Sequence, residues 1–353
     1  MLEYVYNHLN GWNLEEGKIM NLSEKASNLI KGATKGKEHI KFTVGVLQKE
    51  ETSFKLFDSD TEIPYKSYLY EMGSIGKTFT TSLLAKYVND GQMNLDDSVA
   101  KYIPELEEDK YYPTLKRLAT HTAGYPTRYP MSKSEIFSLI SKQIRRKPLN
   151  ISDYVTMNKE KMIRLAKEIR LRDKDYKWEY SNFGISLLGY AVSNVAGQSF
   201  WDLMSSYFSQ DLGLKNSFMV VDKENLLNGY DIRSRDVGNW RAREDEYIVP
   251  AGAGMISNAE DLLEYAKFNM EESPDYLRLC HDRYEVKSKN NDMGLGWWID
   301  KKNPDVYYHG GNTEGFASML GFDKKKKTAV VILTNVMHYK GRTQLFDDIL
   351  ENL

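Results

Sequence analysis

A single cysteine, Cys280, stands in 353 residues, so no disulfide can form within the chain and a packed core must hold the fold. Such sparse cysteine fits a reducing compartment. No run of 18 apolar residues occurs, which leaves no candidate for a membrane-spanning helix. The opening residues MLEYVYNHLNGWNLEEGK carry acids early and lack an apolar core. They do not read as a secretory signal, and the expected location is cytoplasmic. Large net charge is missing too: the formal value is −2, which draws the chain neither to nucleic acid nor to an anionic membrane. Metal-binding patterns are absent, with no H-E-x-x-H or C-x-x-C. His8, His39, His281 and His338 have no partner at ligand spacing, so neither metal nor cofactor is expected.

What remains is the composition of an ordinary globular protein, 41% hydrophobic and 28% charged, long enough for a large core. Residues 131–179 hold 13 Lys and Arg against 7 acids. Because the signs are interspersed, this reads as a solvated helical surface. Spacing predicts a helix over Asn21–Lys35, a hairpin turning at Glu50–Glu51, and a third strand in YKSYLYEMG. Apolar Phe79, Leu83, Leu84, Tyr87 and Val88 predict an amphipathic helix closed by Gly91. Helical patches joined by polar loops fill Leu95–Ala196. Strand character returns in GLGWWID, DVYYHGG, FASMLGFD and KTAVVILTN, the last two joined by a turn at Lys324–Lys327, before a closing helix RTQLFDDILENL.

Strands at both ends with helices between predict an α/β (α+β) fold. An antiparallel sheet is built from residues 1–90 and 245–353. A mostly helical subdomain, 91–244, is inserted between its halves.

Three short motifs carry chemistry. Ser74-Ile-Gly-Lys77 falls at a strand-to-helix transition, where residues three apart share a helix face. A serine hydroxyl needs a neighbour to take its proton. A neutral lysine one turn away can do so, and a charged one can lower the pKa of a second base. Gly76-Lys77-Thr78 also looks like the end of a phosphate-binding loop, but position 71, where that motif needs glycine, is Glu71, an acid that would face phosphates. Tyr180-Ser181-Asn182 precedes the apolar FGISLLGYAV, and His309-Gly310-Gly311 follows the strand-like DVYY.

In this order and spacing, the three motifs resemble the serine β-lactamase and penicillin-binding superfamily. The likeness is to the branch of class C β-lactamases, D-Ala-D-Ala carboxypeptidases, D-aminopeptidases and related esterases. LATHTAGYP, VPAGAGMISNAEDLLEYAKF, and GLGWWI ahead of HGGNTEGF extend it over Phe42–Asn335.

The resemblance implies a β-lactamase/transpeptidase-like fold and a serine hydrolase in which Ser74 is acylated and water releases the acyl group. Lys77 keeps the site electropositive, and either Tyr180 or Lys77 takes the serine proton as members of a coupled pair. Asn182 is expected to hydrogen-bond Lys77 or a substrate amide. The backbone N–H groups of Ser74 and Asn312 would form the oxyanion hole. His121, in THTAG, reads as a structural turn. Trp178, Trp297 and Trp298 read as core.

Where class C β-lactamases carry Lys-Thr-Gly, this chain has His309, Gly310 and Gly311. Histidine is only partly charged at neutral pH, and glycine offers no hydroxyl. The expectation is a peptidase, amidase or esterase rather than an efficient β-lactamase. A non-hydrolytic penicillin-binding or cell-wall ligand sensor on the same fold and an acyltransferase remain as alternatives. Small-molecule, peptide or ester substrates are the expected partners, with β-lactams as acylating ligands and no nucleic acid or membrane. Glu314 would receive a substrate ammonium, and Tyr125 would line the pocket.

Overall fold

The computed structural model describes residues 20–107, 109–127, 136–137, 140–141, 157–219, 223–240, 246–286, 288–337, 339 and 341–353. The opening segment and much of the basic stretch over 131–179 lie outside the described residues. Among those described, the strands are β1 (Lys41–Gln48), β2 (Glu51–Asp58), β3 (Thr61–Ile63), β4 (Tyr70–Glu71), β5 (Phe218–Met219), β6 (Gly229–Tyr230), β7 (Asp236–Gly238), β8 (Met255–Ser257), β9 (Asn291–Met293), β10 (Trp298–Asp300), β11 (Val306–Asn312), β12 (Ala317–Asp323) and β13 (Thr328–Thr334). The helices are α1 (Glu24–Thr34), α2 (Gly76–Asn89), α3 (Leu115–Ala119), α4 (Lys159–Glu168), α5 (Asn182–Ala196), α6 (Phe200–Ser206), α7 (Ala259–Glu271) and α8 (Arg342–Asn352).

Eight strands form one antiparallel sheet in the order β3-β2-β1-β13-β12-β11-β10-β9. Its centre joins the two ends of the chain, with Phe42 opposite Thr334 and Gln48 opposite Thr328. This is the sheet expected from the sequence, and period-2 alternation explains its two faces. Along β13, Val330 and Ile332 pack with Leu345, Phe346 and Ile349 of α8 and Ile30 of α1. Their neighbours Ala329, Val331 and Leu333 belong to the opposite core, with Leu262 and Ala266 of α7. That second core runs on through α2 and α5, so the sheet and the helical layer share one apolar interior. The hairpin turns at Lys49 and Glu50, both with positive φ (52° and 69°), which suits the right-handed twist of its strands.

Two expectations change. The third strand of the large sheet is Thr61–Ile63, not the YKSYLYEMG stretch. Pro64 cannot extend the ladder, and Tyr70–Glu71 instead pairs with β8 in a small sheet ordered β4-β8-β5. Helix α2 is not amphipathic: every residue from Gly76 to Ala85 is buried. Its hydroxyls are satisfied internally, Thr80 by the carbonyl of Pro250 (2.7 Å), Thr81 by that of Leu295 (2.8 Å) and Ser82 by the Tyr265 hydroxyl (2.8 Å). Burying the helix all round removes the usual polar face and sets its first turn deep in the molecule.

Helix α5 packs against the short turn Val249–Ala251, and a Cβ on Gly189 would lie 2.3 Å from Cβ of Pro250. Gly189→Ala must therefore push that turn aside, an overpacking that costs about 1–3 kcal/mol. Thermal unfolding should show a lowered Tm, and an unchanged Tm would contradict the packing described.

Candidate active site

Backbone pairing fixes the position of Ser74. Glu71 pairs with Ile256, and Met72 N–H donates to the Met255 carbonyl (3.0 Å). Gly73 then turns the chain at φ +53°, where a Cβ would sit 2.9 Å from Asn312 N. A 3-10 turn, Gly73–Ile75, runs directly into α2. Ser74 and Lys77 consequently share a face, and Lys77 Nζ lies 2.9 Å from Ser74 Oγ.

The lysine is fully buried and donates to the Ala251 carbonyl at 2.5 Å. No carboxylate pairs with it among the described residues. Burial holds its pKa well below the ordinary lysine value, because an uncompensated ammonium loses its hydration there.

Tyr180 arrives from the other side, just ahead of α5. Ser181 caps that helix, accepting from Gly184 N–H (3.0 Å) and donating to the Pro126 carbonyl (3.0 Å). The phenol ring lies 4.9 Å from Lys77 Nζ and 6.2 Å from the His309 ring. Burial raises the phenol pKa above its usual value, with the Ser74 hydroxyl and the Arg342 charge pulling the other way. Both members of the Lys77–Tyr180 pair are thus pushed toward their neutral forms.

Strand β11 closes the third side. A Cβ on Gly311 would fall 2.0 Å from the Met72 carbonyl and 3.0 Å from Ser74 N, so only glycine lets this strand abut the serine loop. Ser318 of β12 donates to the same Met72 carbonyl (2.7 Å). His309 is buried, with Nδ1 2.9 Å from the Gly310 carbonyl and Nε2 without a partner among the described residues. Burial is the main cause that lowers its pKa to about 3, with the Arg342 charge adding to it. This corrects the expectation of a partly charged imidazole, since His309 is neutral throughout the neutral range.

Arg342, the first residue of α8, was not found by sequence reasoning. Its Nη1 donates to the Gly311 carbonyl (2.5 Å) and to Asn312 Oδ1 (3.1 Å). A Cβ on Gly310 would come within 2.8 Å of its Nη2, so the missing side chain at 310 makes room for the guanidinium. Its Nε is buried and unpartnered, and no carboxylate neutralises it among the described residues. Burial lowers its pKa to about 10, which leaves it charged at neutral pH. Gly310, the first glycine of the HGG motif, was the one sign of it in the sequence.

The structure thus gathers Ser74, Lys77, Tyr180, His309, Gly310, Gly311 and Asn312. Asn182 is not joined to Lys77: its Oδ1 is buried without a partner, while the lysine is held by the Ala251 carbonyl. Tyr125 does not line the cleft. Its ring is 1% exposed and packs edge-on against Phe183 (5.1 Å). Glu314 is half-buried, and burial plus the nearby Glu71 push its pKa up to about 8. It is therefore mostly protonated at pH 7 and not an open anion awaiting an ammonium. Glu71 itself is buried, pushed up to about 7, and accepts from Trp240 N–H. Trp178 and Trp298 are half-buried at the rim, the latter 5.4 Å from His309, and Trp297 is core.

A lysine neutral when folded and protonated when unfolded makes stability rise with pH up to the unfolded value near ~10.4. Lys77→Met removes that cost. It should raise Tm at pH 7 by roughly 2–4 °C per kcal/mol recovered while abolishing any Ser74 chemistry. The gain should shrink as pH approaches about 10. A pH-independent difference in a thermal-melt series would contradict it.

Known proteins share this fold. The family model described as Beta-lactamase matches residues 44–352. Protein flp of Staphylococcus aureus (strain NCTC 8325 / PS 47) is 23% identical over 279 residues, 76% of this chain and 53% of flp. A Beta-lactamase of Providencia stuartii is 29% identical over 216 residues, 60% of this chain and 50% of its own length. The chain spans about half the length of the curated relatives it matches. A class C β-lactamase from Rhodobacter sphaeroides superposes with a TM-score of 0.75 at 20% identity, covering 94% of this chain and 99% of that one. A β-lactamase/D-alanine carboxypeptidase from Pseudomonas syringae gives 0.73 at 18%, covering 93% and 99%. With a match over most of its length and the same antiparallel sheet, the chain belongs to the Beta-lactamase family, whose members are serine hydrolases.

Proposed function

We propose that this protein is an acyl-serine hydrolase of peptides, amides or esters, with Ser74 as nucleophile. The observation that carries the reading is Lys77 Nζ, 2.9 Å from Ser74 Oγ, with burial holding its pKa well below the ordinary lysine value. A neutral amine accepts the serine proton as Oγ attacks the substrate carbonyl carbon. The C–O bond to serine forms, and the backbone N–H groups of Ser74 and Asn312 receive the oxyanion. As the bond to the leaving amine or alcohol breaks, the proton passes to that group through Lys77 and Tyr180. Water then attacks the acyl-enzyme by the same route in reverse.

The substrate class follows from which cation is present. His309 is neutral and Gly310 has no hydroxyl, so the usual pair for a β-lactam carboxylate is lacking. Efficient β-lactam hydrolysis is therefore not part of this reading. Arg342 supplies the one nearby permanent charge among the described residues, and its planar fork suits a carboxylate. A substrate whose leaving part ends in a carboxylate, as in a carboxypeptidase-type reaction, fits this arrangement better than one bearing an ammonium.

A fluorophosphonate or fluorescent penicillin should label the wild type and spare Ser74→Ala, and equal labelling of both would overturn the reading. Arg342→Ala should raise KM for a D-Ala-D-Ala peptide about tenfold or more, the size of a lost charge-assisted hydrogen bond. KM for an uncharged p-nitrophenyl ester should change little. An equal rise for both substrates would remove Arg342 from carboxylate recognition.

A further inference from the structure

His121 was read from the sequence as a turn residue, and its backbone is indeed left-handed at φ 57°. Its surroundings are those of the active site. The Glu179 N–H donates to the His121 carbonyl (2.9 Å) and the Ser181 N–H donates to His121 Nδ1 (3.2 Å). These two bonds hold the residues immediately before and after Tyr180. Between them, the imidazole lies against the phenol itself, with ring centroids 4.6 Å apart at 41°. The Trp178 ring stands perpendicular at 6.3 Å.

We propose that His121 is the positioning residue for Tyr180, tying the backbone on both sides of the tyrosine and bracing its ring toward Ser74. The proposal rests on the reading of Ser74 as nucleophile. A short extended segment such as Glu179–Ser181 has little intrinsic reason to hold one place, since it lies outside any helix or strand ladder. His121 supplies that constraint from a separate part of the chain.

The chemistry of the ring supports a role beyond filling space. Because Nδ1 accepts from the Ser181 N–H, the proton of the neutral ring is on Nε2. That Nε2 is buried and has no partner among the described residues, an arrangement that costs stability and that folds retain mainly where a site requires it. Burial holds the ring's pKa well below the ordinary value, so it stays in this one tautomer while the site works. A protonated ring would put a hydrogen on Nδ1 against the Ser181 N–H and break the tie.

The test is the kinetics of Ser74 labelling by a fluorophosphonate, with inactivation rate and reagent affinity measured separately. His121→Ala loses the acceptor and the brace. It should slow the rate about 100-fold, the scale of a misplacement near 1 Å, with affinity changed less than about threefold. His121→Asn tolerates the left-handed backbone and offers an oxygen where Nδ1 stood. It should keep Tm near that of the wild type and recover the rate to within about tenfold of it. Its rate-versus-pH curve should be shifted, because Tyr180 is less firmly held, which a purely structural role would not do. Both variants labelling as fast as wild type per folded molecule would overturn the role of His121. A wild type that fails to label at Ser74 would overturn the nucleophile reading, and this one with it.

Discussion

An amine with no counter-ion, held in a fully buried place between the Ser74 hydroxyl and the Ala251 carbonyl, is what the rest of this structure serves. A charged lysine there would need a carboxylate, and among the described residues none is provided. Burial shifts the lysine toward its neutral form, which is also the only state able to accept a proton from serine. Burial of the whole first half of α2 creates that environment. The hydroxyls on its remaining faces are absorbed by carbonyls of Pro250 and Leu295, so the helix needs no solvent.

The other elements bring partners to this lysine from three directions. The small β4-β8-β5 sheet sets the serine loop. Helix α5 and its Ser181 cap set Tyr180. The long sheet delivers β11, and Gly311 lets it touch the loop where a methyl group would collide with the Met72 carbonyl. The eight-stranded sheet, closed between strands from the two ends of the chain, is thus a platform that makes one edge-to-loop contact possible. Its departure from a Lys-Thr-Gly triad is coupled to a change elsewhere: without a side chain at 310, the guanidinium of Arg342 occupies the space.

Patterns with a local cause were legible in the sequence. Short β-prone runs announced β12 and β13, the polar Glu50–Glu51 break announced the first hairpin within a residue of its turn, and S-x-x-K fixed the shared face of Ser74 and Lys77. Relations between distant segments were not legible. Pro64 hid the switch of Tyr70–Glu71 to a second sheet, since β propensity does not name a partner strand. Apolar spacing in α2 suggested a polar face because the carbonyls that satisfy its threonines belong to other segments. Lys77 was one of two partners expected for Asn182, the other being a substrate amide, because nothing in the order of residues shows that Ala251 reaches the lysine first. Arg342 and His121 were missed for the same reason, one in a terminal helix and one in a loop. The charge state of His309 depends on burial, which a three-residue motif does not reveal.

The central claim is that Lys77 is uncharged in the folded protein at neutral pH. Heteronuclear NMR of isotopically labelled lysine, titrated across pH with Lys77→Met to assign the signal, reads this directly. The account predicts an amine signal for Lys77 already present at pH 7–8, far below the ordinary lysine range near ~10.4. A signal that titrates with the surface lysines would show an ammonium beside Ser74 and would contradict it.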